Sequence, residues 1–274
     1  MVQGHNLITA VNYYNGPNDG TLPTPVYVGC SQVTNERPMV STVVTVTDVT
    51  GAEDSFTLTR HGFQFYTHKS TVAGFHDEDT LRVEYYPECE RLLECVTGAS
   101  RIVAFDHKVR RGPSYWHKIG ADNAKSRGPL HNAHVDQSYD GALIRLREQF
   151  PDEAEELRTR RWQIVNIWRP IKTVYKDPLA VADAASVADT DLVAASIIYA
   201  RSGRRMESWT VKSNPAHRWY FKYAQRPDEV VLIKCFDSDE TAVARRVPHC
   251  AVEDPDQKDN ECRESVEVRC LLLF

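Results

Sequence analysis

The chain has 274 residues, 42% of them hydrophobic, and its 38 acidic and 33 basic side chains give a formal net charge of −5. This ordinary globular balance argues against a disordered chain, and because no long basic run interrupts it we expect no nucleic-acid partner. The first six residues lack the basic and apolar regions of a secretion signal, and no apolar run approaches the roughly 20 residues that span a bilayer. We therefore expect no membrane partner.

Seven cysteines occur at irregular spacings, and no Cys-x-x-Cys pair is present. An odd count without such a pair argues against a disulfide framework and against a zinc–thiolate site. We therefore expect a reducing compartment and a cytoplasmic location. The sequence leaves the oligomeric state open.

The N-terminal part of the chain combines a loop-like segment with two strand-like ones. The first thirty residues are rich in glycine, proline and asparagine, and we predict an extended N-terminal arm over residues 1–35. Residues 40–49, VSTVVTVTDV, are dense in β-branched side chains, which predicts a strand. A second strand is predicted over residues 56–66, and the turn-forming residues 51–54 between the two indicate a hairpin.

The next part of the chain is predicted to be mainly helical. Residues 87–96 carry apolar side chains at helical spacing, and Gly98 supplies a C-terminal stop. A short strand is predicted over residues 102–105. Further helices are predicted after Ser138, which would cap the first turn, and from Pro151.

After Arg161 the sequence favours strands again, although residues 180–200 receive no firm assignment. Many short strands with turns rich in proline and aspartate favour a sandwich or barrel over alternating βαβ units. The predicted strands are 163–168, 209–212, 219–223, 230–236, 246–250 and 265–273.

A histidine and an aspartate stand two positions apart in the middle of the chain, at His134 and Asp136. On a strand, alternate side chains point to the same face, so an imidazole and a carboxylate would project together. A third ligand would complete the facial triad of two histidines and one carboxylate that holds non-haem iron(II). Alone, His-x-Asp arises often by chance and is more often an ordinary polar pair.

Two C-terminal features supply the rest of such a site. His249 lies in a β-like stretch 113 residues after Asp136, and Arg263-Glu264-Ser265 follows fourteen residues later, on the last predicted strand. An arginine and a serine on one strand face suit a distal carboxylate, because the arginine offers a forked, charge-assisted contact and the serine one hydrogen bond. This order of motifs is the order found in 2-oxoglutarate oxygenases of the jelly-roll type.

The chain resembles the fungal non-haem iron(II)/2-oxoglutarate hydroxylase/desaturase family related to gibberellin desaturase and to the cephem 7α-methoxylase accessory chain. The resemblance covers most of the chain and includes both the His-x-Asp and the Arg-x-Ser positions. The resembling segments are 59–63, 97–99, 105–110, 134–138, 166–171, 177–180, 214–220, 234–238, 248–251 and 263–269.

The resemblance implies a fold and a reaction. The expected fold is mainly β with flanking helices, a single jelly-roll domain over residues 1–274 with a cupin-like double-stranded β-helix core. We expect its helices to pack on one side of the main sheet. The expected enzyme is an iron(II)- and 2-oxoglutarate-dependent dioxygenase that oxidises an unactivated C–H bond of a small natural-product or amino-acid substrate in secondary metabolism. Hydroxylation, desaturation and oxidative cyclisation such as aziridine formation all remain open.

The resemblance also assigns the site residues. His134, Asp136 and His249 would hold iron(II) and form the catalytic centre. Arg263 and Ser265 would hold the far carboxylate of 2-oxoglutarate, and dioxygen would take the remaining metal position.

Two further polar residues, Asn166 and Arg169, stand on the predicted strand that ends before Pro170. They could be a strand edge with a surface cation, or they could face a pocket and bind a substrate carboxylate or the 2-oxo acid. The family pattern includes both residues, and on that ground we predict that they bind substrate.

Two other classes of function use the same residues. In a non-catalytic jelly-roll protein, Arg169 and Arg263 would bind an anion or small molecule and the histidines would be vestigial. In a zinc hydrolase the three ligands would serve a different metal, but Arg-x-Ser would have no role there.

Overall fold

The computed structural model describes residues 4–17 and 19–274; residues 1–3 and 18, which belong to the predicted N-terminal arm, lie outside the described part. The strands, in chain order, are β1 (Leu7–Tyr14), β2 (Val26–Val28), β3 (Val33–Thr34), β4 (Met39–Asp48), β5 (Phe63–Thr67), β6 (Arg101–Arg110), β7 (His134–Val135), β8 (Trp162–Pro170), β9 (Leu179–Ala182), β10 (Leu192–Tyr199), β11 (Arg205–Val211), β12 (Trp219–Phe221), β13 (Glu229–Asp237), β14 (His249–Ala251) and β15 (Ser265–Leu273).

Helices are few and mostly short. The α-helices are α1 (Glu78–Thr80), α2 (Tyr86–Thr97), α3 (Tyr139–Gln149) and α4 (Ala154–Leu157), and a wider π-helical turn, Leu81–Tyr85, joins the first two. Short 3₁₀ turns occur at Glu53–Ser55, Trp116–Lys118, Ala184–Ser186, Asp189–Asp191 and Pro255–Gln257. Within residues 4–17 and 19–274, no helix has the length and apolar character needed to cross a membrane.

The described strands form two sheets. The larger has ten strands in the order β1-β4-β12-β9-β14-β7-β11-β10-β2-β3, and the smaller has five in the order β5-β13-β8-β15-β6. Strands that are distant in the chain are neighbours in both sheets, as in the predicted double-stranded β-helix.

Alternation along β8 shows how the layers stack. Ile164 and Trp168 point between the two sheets, where they share a buried cluster with Val181 of the larger sheet. Val165 and Ile167 point the other way and share a second buried cluster with residues of α2. Because successive strand residues face opposite sides, β8 has an inner face toward the larger sheet and an outer face toward the helix.

The two main helices begin and end largely as the sequence predicts. Gly98 adopts φ 69° and ends α2, since glycine tolerates the left-handed conformation. The Ser138 hydroxyl accepts a hydrogen bond of 2.9 Å from the Gly141 amide and caps α3. The helix predicted from Pro151 is shorter, because α4 begins only at Ala154. The predicted packing on the main sheet differs too, because α2 covers the outer face of the smaller sheet.

The predicted hairpin of residues 40–49 and 56–66 is wrong. β4 lies in the larger sheet and β5 in the smaller one, so the segment between them crosses from one sheet to the other. Residues 56–62 form turns rather than a strand. The strand begins only at Phe63, and Phe63 and Phe65 of β5 belong to the core between the sheets.

The segment predicted as an N-terminal arm is built into the larger sheet. β1 pairs antiparallel with β4 along its whole length, from Leu7↔Val46 to Tyr14↔Met39. β2 and β3 form the opposite edge of the same sheet, where β2 pairs parallel to β10. The described part of residues 1–35 therefore contributes strands to both edges.

Gly62 and Gly51 offer a matched test of packing at the crossing between the sheets. Both adopt a left-handed φ, 80° and 84°, but a Cβ on Gly62 would lie 2.4 Å from Val247 Cγ2, whereas a Cβ on Gly51 would meet nothing within 4 Å. Both alanine variants carry the backbone strain, and only Gly62→Ala also overpacks the core. We expect Gly62→Ala to lower the free energy of unfolding in urea by about 1–3 kcal/mol more than Gly51→Ala. Equal losses would contradict this packing.

Candidate metal centre

Strand pairing brings two histidines together at the centre of the larger sheet. β7 lies between β14 and β11, and His249, the first residue of β14, pairs with His134. Their ring centroids are 4.5 Å apart. Asp136 follows β7 directly, and one ligand atom from each of the three residues lies within 4.8 Å of the others. The three residues predicted as metal ligands therefore form one cluster.

The backbone sets the tautomer of both imidazoles. His134 Nδ1 lies 2.9 Å from the Asn132 carbonyl oxygen, and His249 Nδ1 lies 3.1 Å from that of Val247. A carbonyl oxygen can only accept, so each Nδ1 carries the proton and donates it. Each Nε2 is left free of this contact and can serve as the ligand atom. Burial, followed by the nearby His249, lowers the pKa of His134 to about 3 and keeps this ring neutral.

The Nε2 atom of His249 gives the cluster its clearest sign of a missing ligand. This residue is 2% exposed, and its Nε2 is a buried atom with no hydrogen-bond partner in the described part of the chain. Buried polar atoms are nearly always satisfied, so an orphaned lone pair calls for an explanation. Two imidazoles, each held through Nδ1 by a carbonyl, together with one carboxylate form the donor set that suits non-haem iron(II).

The Asp136 carboxylate is held from one side and open on the other. Its Oδ2 accepts hydrogen bonds from Asn166 Nδ2 at 2.6 Å and from Arg269 Nε at 2.8 Å. Its Oδ1 lies 3.6 Å from His134 Nε2, on the side of the cluster. Burial opposes ionisation of this group, but the Arg269 guanidinium holds the pKa of Asp136 well below its usual range. The residue is therefore a charged, oriented carboxylate.

Arg269 is the functional residue that the sequence analysis missed. Its guanidinium donates to Asp136, to Asp106 Oδ2 at 2.9 Å and to Glu267 Oε1 at 2.6 Å. The signal for it was present, because residues 265, 267 and 269 alternate along β15 and share a face, in the same spacing as Arg-x-Ser. Burial alone would lower the pKa of Arg269, but the three carboxylates raise it well above its usual range.

Asn166 lies at the cluster, although in a different role from the one predicted. Its Nδ2 donates to the Asp136 carboxylate, so Asn166 orients a candidate metal ligand. Its Oδ1 is buried and has no partner in the described residues. These contacts neither support nor exclude the prediction that Asn166 binds substrate.

The prediction that Arg169 faces the pocket and binds substrate is wrong. Arg169 is three residues after Asn166 on β8, so it points to the outer face of the sheet. Its side chain is 1% exposed and donates to the Tyr85 hydroxyl at 2.8 Å and to the carbonyl oxygens of His68 and Pro227, both at 2.7 Å. All of these partners lie outside the metal cluster. Arg169 therefore links the outer face of the smaller sheet to the segments that cover it.

Arg263 is a buried cation without a counter-charge. It is 4% exposed, and it takes part in no ion pair within the described residues. Its Nη1 donates to the Asp177 carbonyl oxygen at 2.8 Å, its Cζ lies 5.3 Å from the centroid of the Trp168 ring, and its Nε has no partner there. Burial, followed by nearby Arg110, lowers its pKa to about 10. Since a buried unpaired charge is costly, this position suits an anionic ligand.

Ser265 and Asp177 complete the surroundings of that guanidinium. Ser265 is the first residue of β15 and is 1% exposed. Asp177 adopts a left-handed φ of 52°, and its carboxylate is bound by His131 Nε2 at 3.0 Å and by the Ser114 hydroxyl. These contacts fix the backbone whose carbonyl receives Arg263.

A cleft opens onto the cluster. It encloses about 1100 Å³ of atom-free space, open solvent at its mouth included, and its walls contain His134, Asp136 and Arg269. Strands of both sheets and the segment 26–39 surround it. Among the described residues, Arg263 and Ser265 are not part of these walls, but Arg110 is, and Arg110 is close enough to lower the pKa of Arg263.

The chain is similar to fungal enzymes over nearly its whole length. A family model described as an oxidoreductase/YMDC permease-like domain matches residues 11–273. The hydroxylase/desaturase efuI of Hormonema carpetanum is 34% identical over 100% of this chain and 97% of its own. The alpha-ketoglutarate-dependent dioxygenase phiK of a fungal species is 34% identical over 96% of this chain and 95% of its own. The chain belongs to this family of hydroxylase/desaturases and alpha-ketoglutarate-dependent dioxygenases.

A solved structure has the same fold. The iron and alpha-ketoglutarate-dependent endoperoxidase NvfI matches with a TM-score of 0.84 and 24% identity over 98% of each chain. At that identity the likeness shows the fold alone, and it confirms the predicted double-stranded β-helix. Family membership confirms the predicted oxidoreductase with iron(II), 2-oxoglutarate and dioxygen, and it does not support the non-catalytic alternative.

The position of Arg169 in this dioxygenase family member leads to a test. Arg169→Met should lower the free energy of unfolding by about 3–5 kcal/mol, because buried partners such as Glu88 lose their cation. The folded fraction should bind iron(II) and 2-oxoglutarate as the parent does. Urea unfolding and anaerobic titration measure the two properties separately. Weaker 2-oxoglutarate binding at unchanged stability would place Arg169 at the site after all.

Proposed function

We propose that this protein uses iron(II), 2-oxoglutarate and dioxygen to oxidise an unactivated C–H bond of a small natural-product or amino-acid substrate, with His134, Asp136 and His249 as the metal ligands. The observation that carries the assignment is the set of two imidazole nitrogens and one carboxylate oxygen within 4.8 Å of one another. The buried, unsatisfied Nε2 of His249 supports it.

The chain's own residues hold and orient the metal. Iron(II) held by these three ligands would supply the oxidising chemistry together with 2-oxoglutarate and dioxygen. The carbonyls of Asn132 and Val247 hold the two imidazoles, and Asn166 and Arg269 hold the carboxylate.

Arg263 and Ser265 are proposed to bind the far carboxylate of 2-oxoglutarate. The unpaired Nε of Arg263, the absence of an acidic partner among the described residues and the stacking on Trp168 support this role. A guanidinium that faces a carboxylate makes charge-assisted hydrogen bonds, and the Ser265 hydroxyl can add a neutral one. The Asp177 carbonyl would keep the guanidinium in place.

Two properties of the whole chain belong to the same proposal. Residues 1–274 form one domain, which is supported by the presence of strands from both ends of the chain in one sheet, such as β1 and β14. The protein works in the cytoplasm, which is supported by seven cysteines that are all free thiols.

The metal assignment predicts the effect of four substitutions. His134→Ala, Asp136→Ala and His249→Ala should each abolish binding of one iron(II) per chain, because each removes a ligand. Asn166→Ala should weaken iron(II) binding by about 10–100-fold, since it removes one of the two hydrogen bonds that orient the Asp136 carboxylate without removing a ligand. Anaerobic titration with iron(II), followed by metal analysis, measures both effects.

Val165→Ala is the matched control, since it alters the neighbouring position on the outer face of the same strand. It should lower stability and leave iron(II) affinity unchanged. An Asp136→Ala protein that retains full iron occupancy and releases succinate would show that the triad is assigned wrongly.

The cosubstrate assignment predicts a separate pattern. Arg263→Ala should weaken 2-oxoglutarate binding by about two to three orders of magnitude, because an unpaired buried carboxylate costs about 3–5 kcal/mol. Arg263→Lys should fall in between, and Ser265→Ala should cost about 1 kcal/mol. Iron(II) affinity should stay nearly constant in all three.

The measurement is titration of 2-oxoglutarate into the anaerobic iron(II) protein, followed through the metal-to-ligand charge-transfer band. A folded Arg263→Ala protein with the parent's affinity for 2-oxoglutarate would mean that Arg263 has only a structural role.

A further inference from the structure

The cleft at the candidate metal centre is far more basic than the chain that forms it. The chain as a whole has a net charge of −5. The charged walls of the cleft comprise two carboxylates, those of Asp106 and Asp136, and six cations. These cations are Arg37, Lys108, Arg110, Arg127, Arg145 and Arg269.

Half of these cations already have acidic partners. Arg269 binds three carboxylates, and Lys108 Nζ lies 3.4 Å from Asp106 Oδ1. Arg145 Nη1 pairs at 3.1 Å with Glu148 Oε2. Their charges are therefore balanced within the protein.

The other three arginines have no acidic partner in residues 4–17 and 19–274. Arg37 donates only to carbonyl oxygens, of Thr24 at 3.0 Å and of Ser196 at 2.9 Å. Arg110 donates to the Gly128 carbonyl oxygen at 3.0 Å. The guanidinium of Arg127 makes no hydrogen bond to any described residue, and Arg127 lines the cleft.

The surroundings make these unpaired charges costly. Burial lowers the pKa of Arg37 to about 10 and also lowers the pKa values of Arg110 and Arg127. Beside them, burial followed by Arg110 lowers the pKa of His117 to about 4, so this cleft residue is neutral and adds no charge. Its Nε2 is buried and has no partner among the described residues. Unsatisfied polar atoms and unpaired cations in one cavity indicate a polar, negatively charged occupant.

The rest of the cleft wall is apolar. Val26 and Val28 on β2, Ile197 on β10, Met206 on β11 and Trp116 face the same space. 2-Oxoglutarate is small and polar, so it would not complement this apolar wall. An occupant that matches both parts has an apolar body and an acidic group.

We propose that the substrate is an organic anion, an apolar carboxylic acid whose carboxylate is held in the cleft by Arg127, with Arg37 and Arg110 adding attraction. This inference rests on the proposed oxygenase function and names the substrate class of that site. Arg127 is the principal anchor because its guanidinium has no partner in the described part of the chain, whereas the other two arginines are partly engaged by carbonyl oxygens.

A pair of fluorescent probes tests the charge preference without knowledge of the natural substrate. 8-Anilinonaphthalene-1-sulfonate carries an anionic group on an apolar body, and N-phenyl-1-naphthylamine is the same body without it. Each probe is titrated into the full chain under anaerobic conditions, once with iron(II) and 2-oxoglutarate and once without either. The anionic probe should bind at least about tenfold more tightly in both states, since the cleft arginines belong to the protein itself.

Substitutions then assign the preference to the cleft. Arg127→Gln should weaken the anionic probe about tenfold and leave the neutral probe unchanged, and Arg127→Lys should retain most of the affinity. Arg158→Gln removes an exposed cation that pairs with Glu155, and it should change neither probe. Unchanged binding of the neutral probe shows that a variant is folded.

Two results would overturn the proposal. One is equal affinity of the parent for the two probes, or no binding of either. The other is an Arg127→Gln protein that binds the anionic probe normally but has lost affinity for 2-oxoglutarate, which would assign Arg127 to the cosubstrate. Because the probes are also measured without iron(II) and 2-oxoglutarate, a failure of the oxygenase proposal would appear in the metal and cosubstrate titrations alone.

Discussion

The structure of the candidate site depends on one guanidinium. Arg269 stands on β15 of the smaller sheet and binds Asp136, which follows β7 of the larger sheet, so its hydrogen bond crosses the interior. The same group neutralises Asp106 and Glu267. Without it, three carboxylates would share a poorly hydrated space, and their repulsion would favour protonation or separation of the strands. Arg269 thus keeps a candidate metal ligand charged and also links the two sheets.

The cluster of candidate ligands could be predicted in part from the sequence, because some of its residues follow local rules. His134 and Asp136 are close in the chain, and the Arg-x-Ser pair shows the two-residue period of a strand. Pairing of His249 with His134 was not predictable in this way, since it depends on which strands become neighbours. The family resemblance supplied that link, and the register of β14 and β7 shows it directly.

The errors have equally physical causes. Asn166 and Arg169 are three residues apart on one strand, so they cannot share a face, and a pocket role for both conflicts with the period of the strand. The predicted hairpin failed because turn residues between two apolar segments do not reveal whether the second segment stays in the same sheet. The cleft arginines were beyond the reach of sequence reasoning, because Arg37 and Arg127 come from loops that only the fold brings together. The net negative charge of the chain gives no sign of a basic cleft.

The short contacts from each imidazole Nδ1 to the carbonyl two residues earlier have a consequence for the strength and selectivity of metal binding. A free histidine side chain loses rotational freedom when it becomes a ligand, at about 0.5–1.5 kcal/mol for each immobilised side chain. In His134 and His249 that freedom is already restricted by the strand backbone, before any ion arrives. The entropy of ordering is therefore lost during folding, which would help three candidate protein ligands to hold a labile divalent ion. The same rigidity makes the site less able to adapt to an ion that prefers a different geometry.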